Sequence, residues 1–350
     1  MPIRIIHAGL GRWGQDWAQQ AIPKVHKEME CVAYVDSNPT SLAWVKKTLG
    51  APAEQCFTSL DAAFATVEAD AIVATVSVPA HVPVALAALA ADKHVLIEKP
   101  FTMTLDQAQQ VVDAAEAANC ILMISQNYRF YPAVEAAARL VWEQELGKVG
   151  AVSVDFRRNL TKFSKDHAYA FIDHPLLLDM AIHHFDLMRT VLNQEPVRVT
   201  AQAWNPPWSP IPGMTAGSAA IEFDGGAVVS YRGNWVSRGP DTPWAGEWKM
   251  DCERGEIVWT SRGGTPEQLA ADRVVVRPLG GKERVIELPT LNAVGRVGVL
   301  TAFAAAIRDG SEPPCSGRDN LGTIGLMNAA IASAESGQAV MAPLTVAAPA

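Results

Sequence analysis

The chain has 350 residues, 49% of them hydrophobic and 19% charged, an ordinary globular balance long enough for two domains. A formal net charge of -8 offers no basic face for phosphate neutralisation, which excludes nucleic acid as the main partner. No apolar run reaches the ~18 residues of a membrane span, no signal-peptide core is present, and Cys31, Cys56, Cys120, Cys252 and Cys315 are scattered without a Cys-x-x-Cys pair, so a cytoplasmic protein without disulfides or a thiolate zinc site is expected.

Ile3–Ala8 reads as a strand that ends at glycines, with a helix starting near Arg12. Cys31–Val35 is a second strand. Asn38 is placed as an N-cap, with Pro39 opening a helix to Leu49. Ala71–Val76 is a third strand, followed by an Ala-rich helix over Val82–Ala91 and a strand at His94–Ile97. Thr104 and Gln107 form a capping-box pattern ahead of a helix that ends near Ala118. Ile121–Ser125 closes the alternation. Such repetition predicts an α/β domain over residues 1–127, a doubly wound parallel sheet with helices on both faces.

Residues 128–350 change character. A helix is expected at Leu177–Leu192. Strands then come in pairs joined by turns at Asp224-Gly225-Gly226, Glu253-Arg254-Gly255 and Gly280-Gly281-Lys282. These are hairpin signals, so the second domain is α+β with a largely antiparallel open sheet. Helices near Arg296–Arg308 and Asp319–Ser336 end the chain and are expected to return towards the first domain.

Gly9-Leu10-Gly11-Arg12-Trp13-Gly14 follows the first strand and opens the first helix. Its glycines permit a tight turn, close approach of a pyrophosphate and close helix–strand packing. The helix N-terminus then faces the phosphates. Asp36 ends the second strand, about 20 residues on, where an acid binds ribose hydroxyls. Its charge would repel a 2′-phosphate, so NAD is favoured over NADP. Lys99 follows the apolar run Val95-Leu96-Ile97 and stands at the carboxyl end of a strand, the edge where open α/β sheets bind ligands. Asp179, His183 and Asp186 are spaced i, i+4 and i+7 along the second-domain helix and would share one face. A metal site among His167, His174, His183, His184 and the nearby Asp166 and Asp173 is weighed against the lack of a His-Glu-x-x-His motif, and none is expected.

These pieces together resemble the glucose–fructose oxidoreductase / inositol dehydrogenase / rhizopine-catabolism (Gfo/Idh/MocA) oxidoreductase family over nearly the whole chain. Residues Asp92 to Pro100 match Gly-Lys-His-Val-x-x-Glu-Lys-Pro, with Asp92 in place of glycine. Asp179 to Asp186 match Asp-x-Gly-x-His-x-x-Asp, with Ala181 in place of glycine. Asn127-Tyr128-Arg129 and Ser316-Gly317-Arg318-Asp319 also look like family segments. One departure is Val76-Ser77-Val78-Pro79-Ala80-His81, where the family often has Thr-Pro-Asn before the histidine. The resemblance implies a Rossmann domain that binds the dinucleotide through Gly9, Gly11, Arg12, Trp13, Gly14, Asp36, Ser77, Val78, His81, Glu98, Lys99, Pro100 and Asn127. It implies Lys99, Asp179 and His183 as catalytic residues on the substrate hydroxyl, with Arg129 and His184 as further substrate contacts.

The implied reaction is oxidation of a sugar, polyol or cyclitol. His183 is the better base, because an unperturbed imidazole is mostly neutral at pH 7. Asp179 would orient it, and Lys99 would stabilise the developing alkoxide. Lys99 as base, with a strongly lowered pKa, stays open. Arg157, Arg158, Asn159 and Lys162 are candidates for binding hydroxyls or a carboxylate. Six tryptophans, Trp204, Trp208, Trp235, Trp244, Trp248 and Trp259, fall in the sheet region; they suit sugar faces, core filling or a homo-oligomer joined through that sheet. Two alternatives are a redox-neutral enzyme that uses bound NAD transiently and a non-catalytic dinucleotide-binding regulator.

Overall fold

The computed structural model describes residues 1–160, 172–263 and 266–342, and counts below refer to these. Lys162, Asp166 and His167 lie outside them. The chain divides into two compact units, one of Met1–Asn127 with Ala293–Leu321 and one of Tyr128–Asn292 with Gly322–Ala350.

In the first unit the elements run β1 (Ile3–Ala8), α1 (Arg12–Gln20), β2 (Met29–Val35), α2 (Pro39–Leu49), β3 (Cys56–Phe57), α3 (Leu60–Thr66), β4 (Ala71–Ala74), α4 (Val78–Ala90), β5 (His94–Ile97), α5 (Leu105–Ala117) and β6 (Leu122–Ile124). All six strands are parallel, in the order β3-β2-β1-β4-β5-β6. Both faces of such a sheet are covered by helices, which is why β4 and β5 are almost wholly apolar and buried. Capping sets the helix starts. Asn38 Oδ1 accepts from the Thr40 amide at 2.9 Å, and Thr104 Oγ1 from the Gln107 amide at 3.3 Å. Gly50, at φ 70°, ends α2 in the left-handed conformation.

Three features differ from the expected layout. α4 starts at Val78 rather than Val82, because Pro79 sits in its first turn, where a missing N–H costs nothing. β3 and α3 were not anticipated; a two-residue edge strand carries no periodicity to read.

The second unit contains α6 (Pro132–Trp142), β7 (Val149–Arg157), a π-helical turn (Leu176–Ala181) running into α7 (Ile182–Leu192), β8 (Pro196–Trp204), β9 (Ala216–Phe223), β10 (Val228–Asn234), β11 (Glu247–Cys252), β12 (Gly255–Thr260), α8 (Pro266–Ala270), β13 (Arg273–Pro278) and β14 (Arg284–Ile286). With β15 (Val340–Met341) these strands form a nine-stranded sheet in the order β14-β13-β12-β11-β7-β10-β9-β8-β15. It is antiparallel except where β7 and β10 run parallel. The three hairpins are present, but β7, at the centre of the sheet, and β8, next to its edge, had no turn signal to mark them. Trp248 and Trp259 are cross-strand partners, buried and stacked at 4.6 Å, worth about 1 kcal/mol beyond their burial. Trp235 is also core, whereas Trp204 and Trp208 are exposed.

Of the closing helices, α9 (Gly295–Asp309) falls in the first unit, and the division lies within α10 (Gly317–Ser336). The start of α10 is tied to the first sheet by a Met123–Ser316 bridge and an Arg318–Glu116 ion pair. Gly317 is required there, since a Cβ would lie 2.4 Å from Leu122 Cδ2.

Candidate active site

The strand order of the first sheet reverses between β1 and β4, and ligands of doubly wound sheets bind at the carboxyl ends of the strands at that point. The glycine loop follows β1 there. Gly9 has φ 89°, and a Cβ on it would stand 2.5 Å from the Val76 backbone nitrogen. A Cβ on Gly14 would stand 1.9 Å from the Gly9 carbonyl oxygen. Gly11, the N-cap of α1, has nothing within 4 Å of where its Cβ would be. The loop is thus packed where it meets the protein and open where a pyrophosphate would approach.

Asp36 Oδ2 accepts from the Leu10 amide at 2.6 Å and Oδ1 from the Asn38 amide at 2.8 Å. A carboxylate has about four acceptor sites, so each oxygen retains capacity for a ribose hydroxyl. Arg12 and Trp13 are exposed on the first turn of α1, and the Arg296 guanidinium lies 4.6 Å over the Trp13 ring while pairing with Asp16 at 2.5 Å. Ser77 is the exposed N-cap of α4, with Val78 the first residue of that helix, at the carboxyl end of β4. Asn127 is buried just after β6. These residues fit a dinucleotide.

Two supports under the loop carry no motif. Thr75 Oγ1 donates to the Gly9 carbonyl at 2.6 Å and is approached by His7 Nε2 at 2.9 Å. With the hydroxyl proton committed to Gly9, His7 must donate from Nε2. Burial pulls the His7 pKa down to about 3, so the ring is neutral. A histidine inside an apolar strand was the one readable sign of this contact.

Glu98 and His81, expected to touch the cofactor, have side chains hydrogen-bonded within the protein. Glu98 is buried, and its Oε1 accepts from Trp17 Nε1 at 2.8 Å while Oε2 accepts from the Lys99 amide at 3.0 Å. His81 is buried with Nδ1 2.9 Å from the Pro100 carbonyl and Nε2 3.2 Å from the Val76 carbonyl. Both side chains clamp the Lys99-Pro100 backbone. Lys99 itself is half-buried at the carboxyl edge of β5.

In the second unit His183 is buried and stacks on Tyr128, with ring centroids 3.9 Å apart and planes 4° apart. Burial pushes the Tyr128 hydroxyl up to about 12, with the Asp179 carboxylate adding to the rise, so the phenol is neutral. Asp179 stands in the π-helical turn and His183 in α7. Wide turns of this kind recur at functional sites. They also break the simple i, i+4, i+7 face. Asp186 is turned inwards, 1% exposed, and holds Arg129 by two bonds of 2.7 and 2.6 Å. Arg129 is therefore committed to an internal ion pair rather than displayed to a substrate.

His184 is likewise not a surface contact. It is fully buried, with Nε2 3.0 Å from the Trp244 carbonyl and Nδ1 3.1 Å from the Tyr231 hydroxyl. A carbonyl only accepts, so Nε2 carries the proton and Nδ1 accepts from Tyr231. Burial holds its pKa near 4. Its role is to fix the Trp244 segment.

Arg157 and Asn159 are separated from this cluster by strand parity. Side chains alternate across a strand. Val152, Val154, Phe156 and Arg158 share the buried face, whereas Arg157 lies on the other face with Asp155 at 2.5 Å and Glu247 at 3.2 Å. Asn159, of the same parity, is exposed. The residues that join Tyr128 are Arg158, Trp244 and Arg262, the last lying 4.2 Å over the Tyr128 ring. Arg262 was missed because its left-handed backbone, φ 60°, and its loop position leave no sequence signature. Among the described residues no three His, Cys, Asp or Glu side chains cluster as metal ligands would.

A parallel sheet with a glycine loop at its switch point, joined to an α+β unit that carries a buried histidine, defines a two-domain nucleotide-binding oxidoreductase. Residues 3–126 match the family model of an oxidoreductase family with an NAD-binding Rossmann fold, and residues 134–258 match that of the GFO/IDH/MocA C-terminal domain. The chain belongs to the Gfo/Idh/MocA oxidoreductase family. Its relatives include the D-apiose dehydrogenase of Paraburkholderia graminis, 25% identical over 89% of this chain and 82% of that one. The inositol 2-dehydrogenase of Rhizobium meliloti is 23% identical over 95% and 97%. Among solved structures, an oxidoreductase from Agrobacterium radiobacter in complex with NAD+, L-tartaric acid and magnesium superposes with a TM-score of 0.83, at 22% identity, over 97% of this chain and 98% of that one. Among the described residues no helix is long and apolar enough to cross a membrane.

Proposed function

We propose that the chain is an NAD-dependent dehydrogenase that oxidises a CH–OH group of a sugar, polyol or cyclitol. The observation that carries this is the glycine loop and Asp36 at the β1/β4 switch point, in the same unit as a lysine clamped at the carboxyl end of β5. The sugar and polyol dehydrogenases among its relatives support the substrate class. When bound, NAD supplies the acceptor for the hydride that leaves the substrate carbon as its C–H bond breaks and the carbonyl forms.

The residues supply the rest. The α1 N-terminus faces the pyrophosphate, and Gly11 leaves it room. Asp36 accepts the ribose hydroxyls and repels a 2′-phosphate, which favours NAD over NADP. Lys99 donates to the substrate oxygen and stabilises negative charge on it. His183 takes the hydroxyl proton, and Asp179 stabilises the resulting imidazolium. A panel of sugars, inositols, polyols and sugar acids with NAD and with NADP, read at the reduced-nicotinamide absorbance, tests this. At least one substrate is expected to reduce NAD faster than NADP. Retention of NAD through purification with no net reduction by any member would favour redox-neutral use and overturn the reading.

A homo-oligomer in the cytoplasm, joined through the nine-stranded sheet, completes the proposal. The exposed Trp204 on that sheet supports it. Sedimentation of a single 37.6 kDa species at micromolar concentration would remove it.

A further inference from the structure

We propose that Arg158 and Arg262 form a carboxylate-binding subsite, so that the substrate of the dehydrogenase reading, on which this rests, is a sugar acid rather than a neutral sugar. Arg158 directly follows β7, continues the parity of its buried face and is only 7% exposed. Its Nη1 donates to Asp241 at 3.3 Å. Its Nε and Nη2 are buried and have no hydrogen-bond partner among the described residues. Buried polar groups are almost always paired, and an unpaired guanidinium edge is costly. Nε–H and Nη2–H lie on one edge of the planar fork, spaced for the two oxygens of a carboxylate. The arginine therefore carries an unpaired bidentate edge.

The surroundings hold that edge in place. The guanidinium lies 4.2 Å over the Trp244 ring. The Trp244 backbone is held by His184, which donates to its carbonyl. Arg262 stands 5.8 Å from the same ring and bonds to the hydroxyls of Tyr128 and Tyr131. Its nearby carboxylate, Asp272, is spent on backbone: Oδ2 accepts from the Arg262 amide at 2.6 Å and Oδ1 from the Gly263 amide at 3.3 Å. Those two bonds, and the Trp244 amide donating to the Arg262 carbonyl at 2.9 Å, hold the left-handed Arg262 backbone. Strained backbone over-determined by its neighbours is found at ligand clamps.

A chain of contacts, His183–Tyr128–Arg262–Trp244–Arg158, links the two arginines to His183. One end carries the proposed proton acceptor. The other carries the anion edge, with Tyr128 and Trp244 between them. A carboxylate fits better than a phosphate, because the unpaired edge offers two coplanar donors and Asp241 beside it would repel a dianion.

Two measurements on the NAD-loaded full chain test this. The first compares kcat/KM for hexuronates and aldonates with that for the corresponding neutral hexoses and hexose phosphates. Sugar acids are expected to lead by about 30-fold or more, the scale of a charge-assisted pair. The second measures hexuronate affinity by calorimetry, which needs no turnover. Arg158→Gln is expected to weaken it about 30-fold, and Arg158→Lys, which keeps the charge but loses the fork, about tenfold. A lead for neutral hexoses or hexose phosphates, or hexuronate affinity equal in wild type and Arg158→Gln, overturns the subsite. The wild-type comparison decides even if the variants fail to fold. Arg158-dependent binding of hexuronate without any NADH would leave the subsite standing and sink the dehydrogenase reading instead.

Discussion

Replacing Lys99 with alanine is expected to cut turnover at least about a hundredfold, with NAD affinity within about threefold of wild type. A hundredfold loss corresponds to about 2.7 kcal/mol of transition-state stabilisation, the scale of one well-placed donor to a developing oxyanion. The structure shows how the residue is held. Glu98 accepts from its amide and is itself anchored by Trp17. His81 grips the carbonyl of the next residue, Pro100. The Lys99 backbone is therefore pinned on both sides by groups that the alanine variant keeps, so the glycine loop and Asp36 remain intact. The measurements are steady-state kcat and equilibrium NAD binding. Near-normal turnover in the variant would sink the catalytic assignment. Loss of NAD binding in step with kcat would make Lys99 a cofactor anchor instead.

Arg129→Met is expected to destabilise the second unit by about 3–5 kcal/mol, because it strands the Asp186 carboxylate without its cation. Asp186 is 1% exposed. Its other described side-chain partner is Thr323, which donates to Oδ1 at 3.1 Å. Arg189 in turn donates to Thr323 at 2.9 Å and holds Glu195 by two bonds of 2.7 and 2.6 Å. At about 2–4 °C per kcal/mol for a unit of this size, thermal unfolding of the variant should begin roughly 6–20 °C lower. The paired variant Arg129→Met/Asp186→Leu removes both charges and should recover most of the loss. An unchanged melting temperature with a raised KM would show that Arg129 serves the substrate after all.

The candidate residues of the two units were legible to different degrees. The crevice was read from local pattern: Gly9, Gly11 and Gly14 act through backbone conformation and missing Cβ atoms, and Asp36 acts from the end of its own strand. His183 was readable as a candidate base. Its stacking on Tyr128, 55 residues away in sequence, was not. Arg157 and Arg158 are adjacent in sequence and looked equivalent. The parity of β7 sends one to Asp155 and Glu247 on the far face and the other to Trp244 among buried aromatics. A strand whose neighbours are unknown gives no sign of which face will be covered.

The sequence by itself determined the alternation that builds a parallel sheet, the helix starts at Asn38 and Thr104, the nucleotide loop, and Lys99 at a strand's carboxyl end. Each of these depends on interactions within a few residues of chain. Only the tertiary structure decided that the side chains of Glu98, His81 and His184 are hydrogen-bonded within the protein, that Arg129 pairs with Asp186, and that Arg158 has an unpaired edge beside Trp244. Those roles rest on pairs such as His81–Pro100, Glu98–Trp17 and Arg158–Asp241, which lie 19, 81 and 83 residues apart. Long-range pairing of this kind is set by packing and desolvation, which local pattern does not encode.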